Sequence, residues 1–399
     1  MKFSNKILDA EAKASFDFFW NTASTDDASY GLIPDNNVNH QMCSIASVGF
    51  GLAAITVGVH RGWISREAGE ERAWRTMVTM NTKPQTVHGF YYHFLDMDTC
   101  QRYGSSELSI IDTALLLAGA LCAGTYFGGR TLEEANRMYA RVDWDWYRNP
   151  ETGYFYMGYS DRANPDRHFG AWDMCAEQLI MYVLACGSPT YPLGADIYYD
   201  CPMSNASYDG IENIYHSPGG ALFVYQFSHA FIDFRNKRDA RGIDWFENSV
   251  KATKANRQYC INHSHQFRTY HANSWGLTAC ETPCGYSGAP GTAPSLVDNA
   301  KINDGTVPPC GAVGSVAFTP EESIAAMEYY AADPKLWCEY GFIDAYNLDV
   351  EPAWYSDRVI GIDKGIGLLM IENLRSGLIW DTMMKHPCIQ KGLKMMQIQ

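Results

Sequence analysis

Repeated helical hairpins constrain the fold of this 399-residue chain more than any other feature of its sequence. The links between 41–61 and 65–81, and between 106–127 and 131–147, are short enough to require antiparallel helix pairs. Stretches that alternate as strands do are few and short. We therefore predict an all-α fold of about twelve helices, arranged as a toroid of six helix pairs, with an irregular bundle as the alternative.

The helical prediction rests on apolar residues that recur at three- and four-residue spacing. They extend over 5–20, 41–61, 65–81, 106–127, 131–147, 171–187, 219–234, 242–261, 319–332 and 362–375, with a further helix near the C-terminus. Two capping boxes predict helix starts, Thr131-x-x-Glu134 and Thr319-x-x-Glu322, and Pro320 at the first helical position strengthens the second.

A long loop interrupts this pattern over 262–318, which holds seven glycines and five prolines. Loops of this length in compact domains are usually functional or disordered, and this one is too rich in aromatic and small apolar residues to be disordered. We expect it to cover the mouth of the toroid. The whole chain, 1–399, is then one domain, since barrels of this length are ordinary single domains.

The charge balance excludes several classes of partner. Acidic residues outnumber basic ones by 45 to 31, and the formal net charge of -14 repels phosphate backbones and anionic lipid. We expect no nucleic-acid partner and no membrane span, because no window approaches about 18 uninterrupted apolar residues. The first residues lack a signal-peptide pattern, so a cytoplasmic location is expected, although a chain trimmed of its signal would look the same. The oligomeric state stays open.

Cysteine and histidine patterns give little sign of a metal site. Several of the twelve cysteines lie within apolar helical runs, such as Cys122 and Cys186, where a reduced thiol packs as a small apolar group. Cys280 and Cys284 form the one close pair, and a single C-x-x-x-C is weak evidence for zinc. His229, one helical turn from Asp233, is either a binding residue or part of a structural network.

Aromatic residues are abundant, with 25 Tyr and 11 Trp, and many fall at helix ends or in loops. Trp172, Trp275 and Tyr346 are examples. An aromatic ring beside carboxylates and amides suits a sugar, which has an apolar C–H face and a polar rim. Packing in the core is the alternative, and it accounts for more than half of these aromatics.

Carboxylates inside apolar segments are the sharper signal, because burial raises the pKa of a carboxyl group and prepares it to act as a general acid. Each of them could instead cap a helix or pair with an arginine, but an α/α barrel gathers helix N-termini around one cavity. The candidates are Asp112 in SSELSIIDTALLLAGAL, Glu177 in AWDMCAEQLIMYVLACGSPT, Asp344 in YGFIDAYN, Asp363 in VIGIDKGIGLLM and Glu372 in MIENLRSG. Nucleophile-elbow, phosphate-loop, dinucleotide and H-E-x-x-H motifs are absent from the sequence.

An ordered series of motifs extends from about residue 30 to about residue 382. The motifs are GLIPD, SIASVGFGLAA, SSELSIIDTALLLAGAL, AEQLIMYVLACGSPTYP, FSHAFIDFR, NSWGLTACETPCGY, DGTVPPCGAVGSVAFTPEES, YGFIDAYN and GIDKGIGLLMIENLRSGLIW. Together they resemble the glycoamylase-like domain, which defines glycoside hydrolase family 144 and also occurs in cyclic β-1,2-glucan synthases.

The resemblance implies an (α/α)6 barrel, no cofactor, and cleavage of β-1,2-glucan to sophorose and short sophoro-oligosaccharides with inversion, as in an endo-β-1,2-glucanase. Glu177 matches the glutamate before the GSPT segment and would be the general acid. Asp363, in G-I-D-x-G, would accept the proton of the attacking water, directly or through a substrate hydroxyl. Subsite residues implied in the same way are Asp112, Trp275, Glu281, Asp304 and Tyr346.

Two positions depart from the family pattern, with Tyr191 where histidine is frequent and Glu281 where aspartate is usual. These departures affect which sugars the subsites prefer.

Two alternatives to an inverting hydrolase stay open at this point. One is a retaining transglycosylase on the same scaffold, and the other is a sugar-binding protein without turnover.

Overall fold

Fifteen α-helices run through the residues that this computed structural model describes, 5–162 and 167–399. They are α1 Lys6–Thr22, α2 Ile45–His60, α3 Arg66–Thr82, α4 Ile110–Phe127, α5 Gly129–Ala140, α6 Leu179–Gly187, α7 Asp196–Tyr199, α8 Phe227–Phe231, α9 Trp245–Asn262, α10 Asn299–Ile302, α11 Pro309–Gly314, α12 Pro320–Ala331, α13 Gly361–Arg375, α14 Leu378–Met383 and α15 Pro387–Met395. The predicted helical character of the chain is confirmed.

Short antiparallel strands connect the helices and are more numerous than the sequence predicts. They are β1 Met42–Ser44, β2 Thr86–Val87, β3 Phe90–Tyr91, β4 Phe94–Asp96, β5 Leu108–Ser109, β6 Gly158–Ser160, β7 Arg167–Phe169, β8 Ser204–Tyr208, β9 Ile211–His216, β10 Cys280–Thr282, β11 Gly285–Ser287, β12 Trp337–Cys338, β13 Gly341–Phe342, β14 Tyr346–Asn347 and β15 Trp354–Tyr355. Strands β5, β6 and β7 form a three-stranded sheet, β1 pairs with β4, and the others pair as hairpins with their neighbours in sequence. Runs this short carry too little alternation to be recognised by pattern.

Helices α2 and α4 pack with their backbones nearly in contact. A Cβ atom built on Gly119 would lie 1.8 Å from the Gly49 carbonyl oxygen, and one on Gly49 would lie 2.4 Å from the Leu115 carbonyl oxygen. Helix α4 is long and apolar enough to cross a membrane by composition, but 83% of it is buried within the protein, as expected of a core helix.

Substitution of Gly119 by alanine is expected to destabilise the fold, because backbone atoms of α2 occupy the space of the new methyl group. Overpacking of a dense core costs about 1–3 kcal/mol of unfolding free energy. Chemical denaturation of G119A against the wild type measures this loss. Gly219→Ala is the control, since nothing lies within 4 Å of a Cβ at that position. Equal stability of the two variants would contradict the packing argument.

A buried ion pair joins α13 to α1. Lys364 Nζ lies 2.7 Å from Glu11 Oε1 and 2.9 Å from the Phe342 carbonyl oxygen, and Glu11 Oε2 accepts a hydrogen bond from the Phe342 amide at 3.0 Å. The two charges are almost completely buried, and each has hydrogen-bond partners that offset its desolvation. This network holds the first turn of α13, which contains Asp363.

Three predicted helices are shorter than their sequence pattern. The segment predicted over 171–187 is irregular until α6 begins at Leu179, and 219–234 contains only a 3₁₀ turn at Leu222–Tyr225 and α8. Helix α5 ends at Ala140, and a 3₁₀ turn at Trp144–Tyr147 follows. These segments satisfy their backbone groups through turns and side chains, which apolar periodicity does not report.

The helix starts and the long loop also differ in part from prediction. Thr131 is not a cap, because α5 begins earlier, at Gly129, and places the Thr131 hydroxyl in the core. Thr319 does cap α12, with Pro320 following, although its side chain makes no capping hydrogen bond within the described structure. The stretch 262–318 is not a continuous loop, since it contains β10, β11, α10 and α11.

Candidate active site

A cavity of about 670 Å³ opens where the N-terminal ends of several helices meet. Ser44, Ser109 and Ile360 line it and are the N-cap residues of α2, α4 and α13. Asp112 and Asp363 lie in the first turns of α4 and α13. Small-molecule sites usually enclose about 300–1,000 Å³, so the cavity can hold a ligand of oligosaccharide type.

The described residues that line this cavity carry more acid than base. The carboxylates are Asp35, Glu107, Asp112, Glu177, Glu281 and Asp363, and the cationic side chains are His93 and Arg358. Negative charges confined together raise the pKa of one another. The cavity raises the pKa of three of these acids, Asp35, Glu177 and Asp363.

Glu177 lies in the irregular segment directly before α6, and neighbouring side chains fix its backbone. The Ser228 hydroxyl of α8 donates to the Glu177 carbonyl oxygen at 2.6 Å and accepts from the Ile180 amide at 3.0 Å. Gln178 Oε1 accepts from the Ala176 amide at 2.8 Å. The helix therefore starts after Glu177, and the carboxyl group is left in the cavity wall.

The environment of Glu177 favours its acid form. Burial raises its pKa to about 7, and the charge of Asp112 adds to the rise, while the Glu177 amide acts in the opposite direction. A carboxyl group with this pKa carries a proton in about half of the molecules at neutral pH and in most of them below it. Glu177 can therefore donate a proton to a ligand.

Asp363 is the stronger acid of the two. Burial raises its pKa to about 6, whereas hydrogen bonding to Cys310 and Asp344 lowers it; Asp35 raises it further and Lys364 lowers it. Its pKa is thus above the usual range of an aspartate but below that of Glu177. Near neutral pH, Asp363 is ionised and can accept a proton.

His93 bridges two carboxylates on another wall of the cavity. Its Nδ1 lies 3.0 Å from Glu107 Oε1, and its Nε2 lies 3.5 Å from Asp112 Oδ2. Burial lowers the pKa of His93, but Asp112, Glu107 and Asp35 together outweigh burial and raise it to about 9. The imidazolium form holds Asp112, which also accepts from the Ser109 hydroxyl at 2.6 Å.

The β10–β11 hairpin supplies a further part of the wall. Arg358 Nη1 donates to Glu281 Oε1 at 2.7 Å, and the Glu281 amide donates to Asp344 Oδ2 at 2.6 Å. Tyr286, on β11, also lines the cavity and is 61% exposed, so its ring is available to a ligand at the mouth. Ala279, Glu281 and Tyr286 are the cavity-lining residues from the 262–318 stretch, and its predicted placement over the mouth stays a prediction.

Apolar surface completes the cavity beside these charges. Trp172 is predicted from sequence to bind substrate and lines the wall, while its indole Nε1 has no hydrogen-bond partner within the described structure. Other apolar lining residues are Phe94, Ile111, Leu115, Met157, Phe169, Phe223 and Phe227. Apolar faces next to polar groups are what a pyranose ring requires.

Four residues predicted to bind substrate lie away from the cavity. His229 is buried among Phe234, Phe246 and Phe318, where its Nε2 lies 3.1 Å from Ser249 Oγ and burial lowers its pKa to about 3. It is a neutral core histidine, which agrees with the structural alternative and does not support the predicted binding role.

Trp275, Tyr346 and Asp304 are the other three. Trp275 is fully buried and its backbone pairs with the Tyr330 hydroxyl, while the Tyr346 hydroxyl lies 2.6 Å from Ser274 Oγ in the core. Asp304 is exposed and accepts from the Thr306 amide at 2.9 Å in a turn. Aromatic rings suit a core as well as a pocket, and an aspartate in a Gly/Pro-rich loop often stabilises a turn.

Sequence reasoning missed four charged residues of the cavity, Asp35, His93, Glu107 and Arg358. Asp35 belongs to the GLIPD motif and Glu107 to SSELSI, so the motifs included these two without a role. His93 and Arg358 lie in short connections whose position depends on tertiary structure. Burial raises the pKa of Asp35, with Asp112 acting in the same direction, and Asn36, His93 and Arg358 oppose the rise.

Residues 170–387, more than half of the chain, match the sequence model of the glycoamylase family, described as "Putative glucoamylase". The chain belongs to this family. The matched region includes Glu177 and Asp363, whereas Asp35, His93 and Asp112 precede it. The resemblance to the glycoamylase-like domain is thereby confirmed.

Known proteins resemble the chain over nearly its whole length. An exo-β-1,2-glucooligosaccharide sophorohydrolase (non-reducing end) from Parabacteroides distasonis is 30% identical over 98% of this chain, which spans 58% of that relative's length. A crystal structure titled as a "putative glucoamylase" from Bacteroides uniformis has a TM-score of 0.88 at 29% identity, covering 99% of this chain and 97% of the other. An endo-β-1,2-glucanase from Chitinophaga pinensis, in complex with sophorotriose and glucose, has a TM-score of 0.86 at 28% identity and 98% coverage of both chains.

Proposed function

We propose that this protein is a glycoside hydrolase that cleaves β-1,2-glucan or sophoro-oligosaccharides with inversion of configuration at the anomeric carbon. The observation that carries the proposal is the pair of acids in one cavity, with burial raising the pKa of Glu177 to about 7 and that of Asp363 to about 6. Two carboxyl groups of different pKa can serve as acid and base at one pH. The β-1,2 linkage is supported by two similar proteins, an exo-acting sophorohydrolase and an endo-glucanase, which are both named for β-1,2-linked glucose polymers or oligosaccharides.

The chemical step assigns one proton transfer to each acid. Glu177 gives its proton to the glycosidic oxygen as the C–O bond breaks, and the leaving sugar departs as an alcohol. Asp363 takes a proton from water, directly or through a substrate hydroxyl, as the water oxygen bonds to the anomeric carbon. The proton on Asp363 then leaves to solvent, and solvent reprotonates Glu177.

Electrostatics favour inversion over retention. Retaining enzymes hold the two carboxyl groups about 5–5.5 Å apart, where each would strongly raise the pKa of the other. Asp112 is the carboxylate with the largest effect in raising the pKa of Glu177, and Asp35 has that place for Asp363. This pattern supports a wider separation between the Glu177 and Asp363 carboxyl groups, with room for a water molecule.

We also propose that the helix pairs form the (α/α)6 barrel that the family resemblance implies.

Product analysis tests the proposal. The protein is incubated with β-1,2-, β-1,3-, β-1,4- and α-linked glucans, and the first-formed anomer is followed by NMR. We expect turnover of the β-1,2 polymer or its oligosaccharides alone, with the α-anomer released first. A β-anomer would support the retaining transglycosylase, and binding without turnover would support a sugar-binding protein. Sophorose as the sole early product would indicate exo action, and a ladder of oligosaccharides endo action.

The pH dependence of kcat/KM is expected to be bell-shaped, with limbs near pH 6 and pH 7. Activity rises as Asp363 ionises above a pKa of about 6, and falls as Glu177 loses its proton above a pKa of about 7. Initial rates at low substrate concentration from roughly pH 4 to pH 9, about two units beyond each pKa, measure both limbs. Full activity persisting to pH 9 would show that Glu177 is not the proton donor.

A further inference from the structure

Asp344 lies directly behind Asp363, away from the main cavity, and the chemistry described above does not use it. It is 3% exposed and enters no ion pair within the described structure. Together with Asp363 it lines a second, smaller space of about 10 Å³ between α1, α11 and α13. That volume is about the space of one water molecule.

If Asp344 and Asp363 were both ionised in this small space, their mutual repulsion and lost hydration would destabilise the fold. The cation in this space is Lys364, which is already bound to Glu11 and to the Phe342 carbonyl oxygen. Burial raises the pKa of Asp344 well above its usual range, and the charge of Asp363 raises it further. When two carboxyls are held together without free counter-charge, they retain one proton between them.

The hydrogen bonds indicate which carboxyl retains that proton. Asp344 Oδ2 accepts the Glu281 amide at 2.6 Å, and Oδ1 makes no well-aligned hydrogen bond within the described structure. A protonated Oδ1 can act as a donor to its neighbour, Asp363. Asp363 also lines the main cavity and has hydrogen bonding to Cys310 and Asp344 that favours its ionised form.

Resting on the proposed function, we infer that Asp344 is a positioning residue for Asp363: it stays protonated, donates a hydrogen bond to the ionised Asp363, and anchors β10 through the Glu281 amide. One buried side chain thereby fixes the base and the wall that holds Glu281 and Arg358. Other titratable or charged groups that face the pair are Glu11 on α1, Asp35, Cys280 and Glu281 on β10, Tyr286 on β11, Cys310 on α11 and Lys364 on α13.

The kinetic test compares Asp344→Asn with Asp344→Leu. Asparagine is a neutral donor of the same shape, so we expect the acidic limb of kcat/KM within about 0.3 pH unit of the wild type. Leucine excludes water and donates nothing, so we expect that limb to move upward by about 1 pH unit or more, with a fall in kcat. Glu372→Gln is the matched control, since Glu372 is a buried acid on α13 that pairs with Arg61 and Ser376. It should leave both limbs in place.

A downward shift of the acidic limb by about 1 pH unit in Asp344→Asn would overturn the inference, because it would show that the substitution removes a negative charge. Limbs that stay in place in Asp344→Leu would also overturn it and leave only a structural role. In either case an active wild type shows that the proposed function stands.

A stability measurement tests the same inference without activity, and it remains informative if Asp344→Leu does not fold. An unfolded aspartate has a pKa of about 3.9, and the pKa of folded Asp344 is raised. Between these values the folded wild type holds a proton that unfolding releases, so its stability falls as pH rises. Asparagine does not titrate, so the Tm of Asp344→Asn minus that of the wild type should increase from pH 5 to pH 7. A constant or decreasing difference would contradict a protonated Asp344.

Discussion

Glu177→Gln is expected to lower kcat by roughly 10²- to 10⁴-fold on β-1,2-linked oligosaccharides, the usual contribution of a general acid. The amide has the same shape but cannot give a proton to the leaving oxygen. The Glu177 carboxyl enters no ion pair within the described structure, its own backbone amide is its hydrogen-bond donor, and its burial favours a neutral group. The variant should therefore fold with at least wild-type stability, and steady-state kinetics with thermal unfolding checks both expectations.

The leaving group provides the sharper control for this variant. An aryl sophoroside with an acidic phenol needs little protonation, so Glu177→Gln should recover much of its activity on that substrate. Glu212→Gln, an exposed substitution on β9, should match the wild type on both substrates. Equal losses on the two substrates would show that Glu177 acts in binding and not in proton donation.

Asp363→Asn is expected to lower kcat by a similar factor, roughly 10²- to 10⁴-fold, because the attacking water then has no base. An activated aryl leaving group should not restore this variant, since water activation is still missing. Asp381→Asn is a matched control, as Asp381 also lies in the first turn of a helix but is exposed. The measurement is kcat for both substrates at the pH optimum.

Retention of more than about a tenth of the activity in Asp363→Asn would exclude a base role of this size. Recovery of activity on the aryl substrate by Glu177→Gln, and no recovery by Asp363→Asn, would identify Glu177 as the acid and Asp363 as the base from kinetics alone. A base and a nucleophile at Asp363 would both be needed for the two substrates, so inversion is distinguished from retention by the first-formed anomer.

The helical framework was predictable because long amphipathic patterns survive tertiary packing. The patterns over 41–61 and 242–261 correspond to α2 and α9 within a few residues. The pattern over 171–187 did not reveal that the segment before Leu179 is irregular. There, Ser228 and Gln178 bind the backbone in place of helical hydrogen bonds, and contacts distant in sequence leave no periodicity.

Acids placed in apolar helical segments located the cavity better than aromatic residues did. Asp112, Glu177 and Asp363 line it, because a buried acid near a helix start has few other favourable positions. Trp275 and Tyr346 lie in the core. An aromatic ring is favourable both in a core and in the wall of a sugar site, so its presence in the sequence does not indicate which of the two it occupies. His93 was not predictable, because its charge arises from acids on other elements of the fold.

Helix α13, with Asp363 in its first turn, packs against α1 and α2 from the opposite end of the described chain. A nascent chain therefore exposes α1 and α2 long before their partner has left the ribosome. At about 5–20 residues per second, this interval lasts tens of seconds, during which apolar helix faces are unprotected. Chains stalled before α13 would be targets for quality control, and the proposed hydrolase would become active only after α13 had been translated.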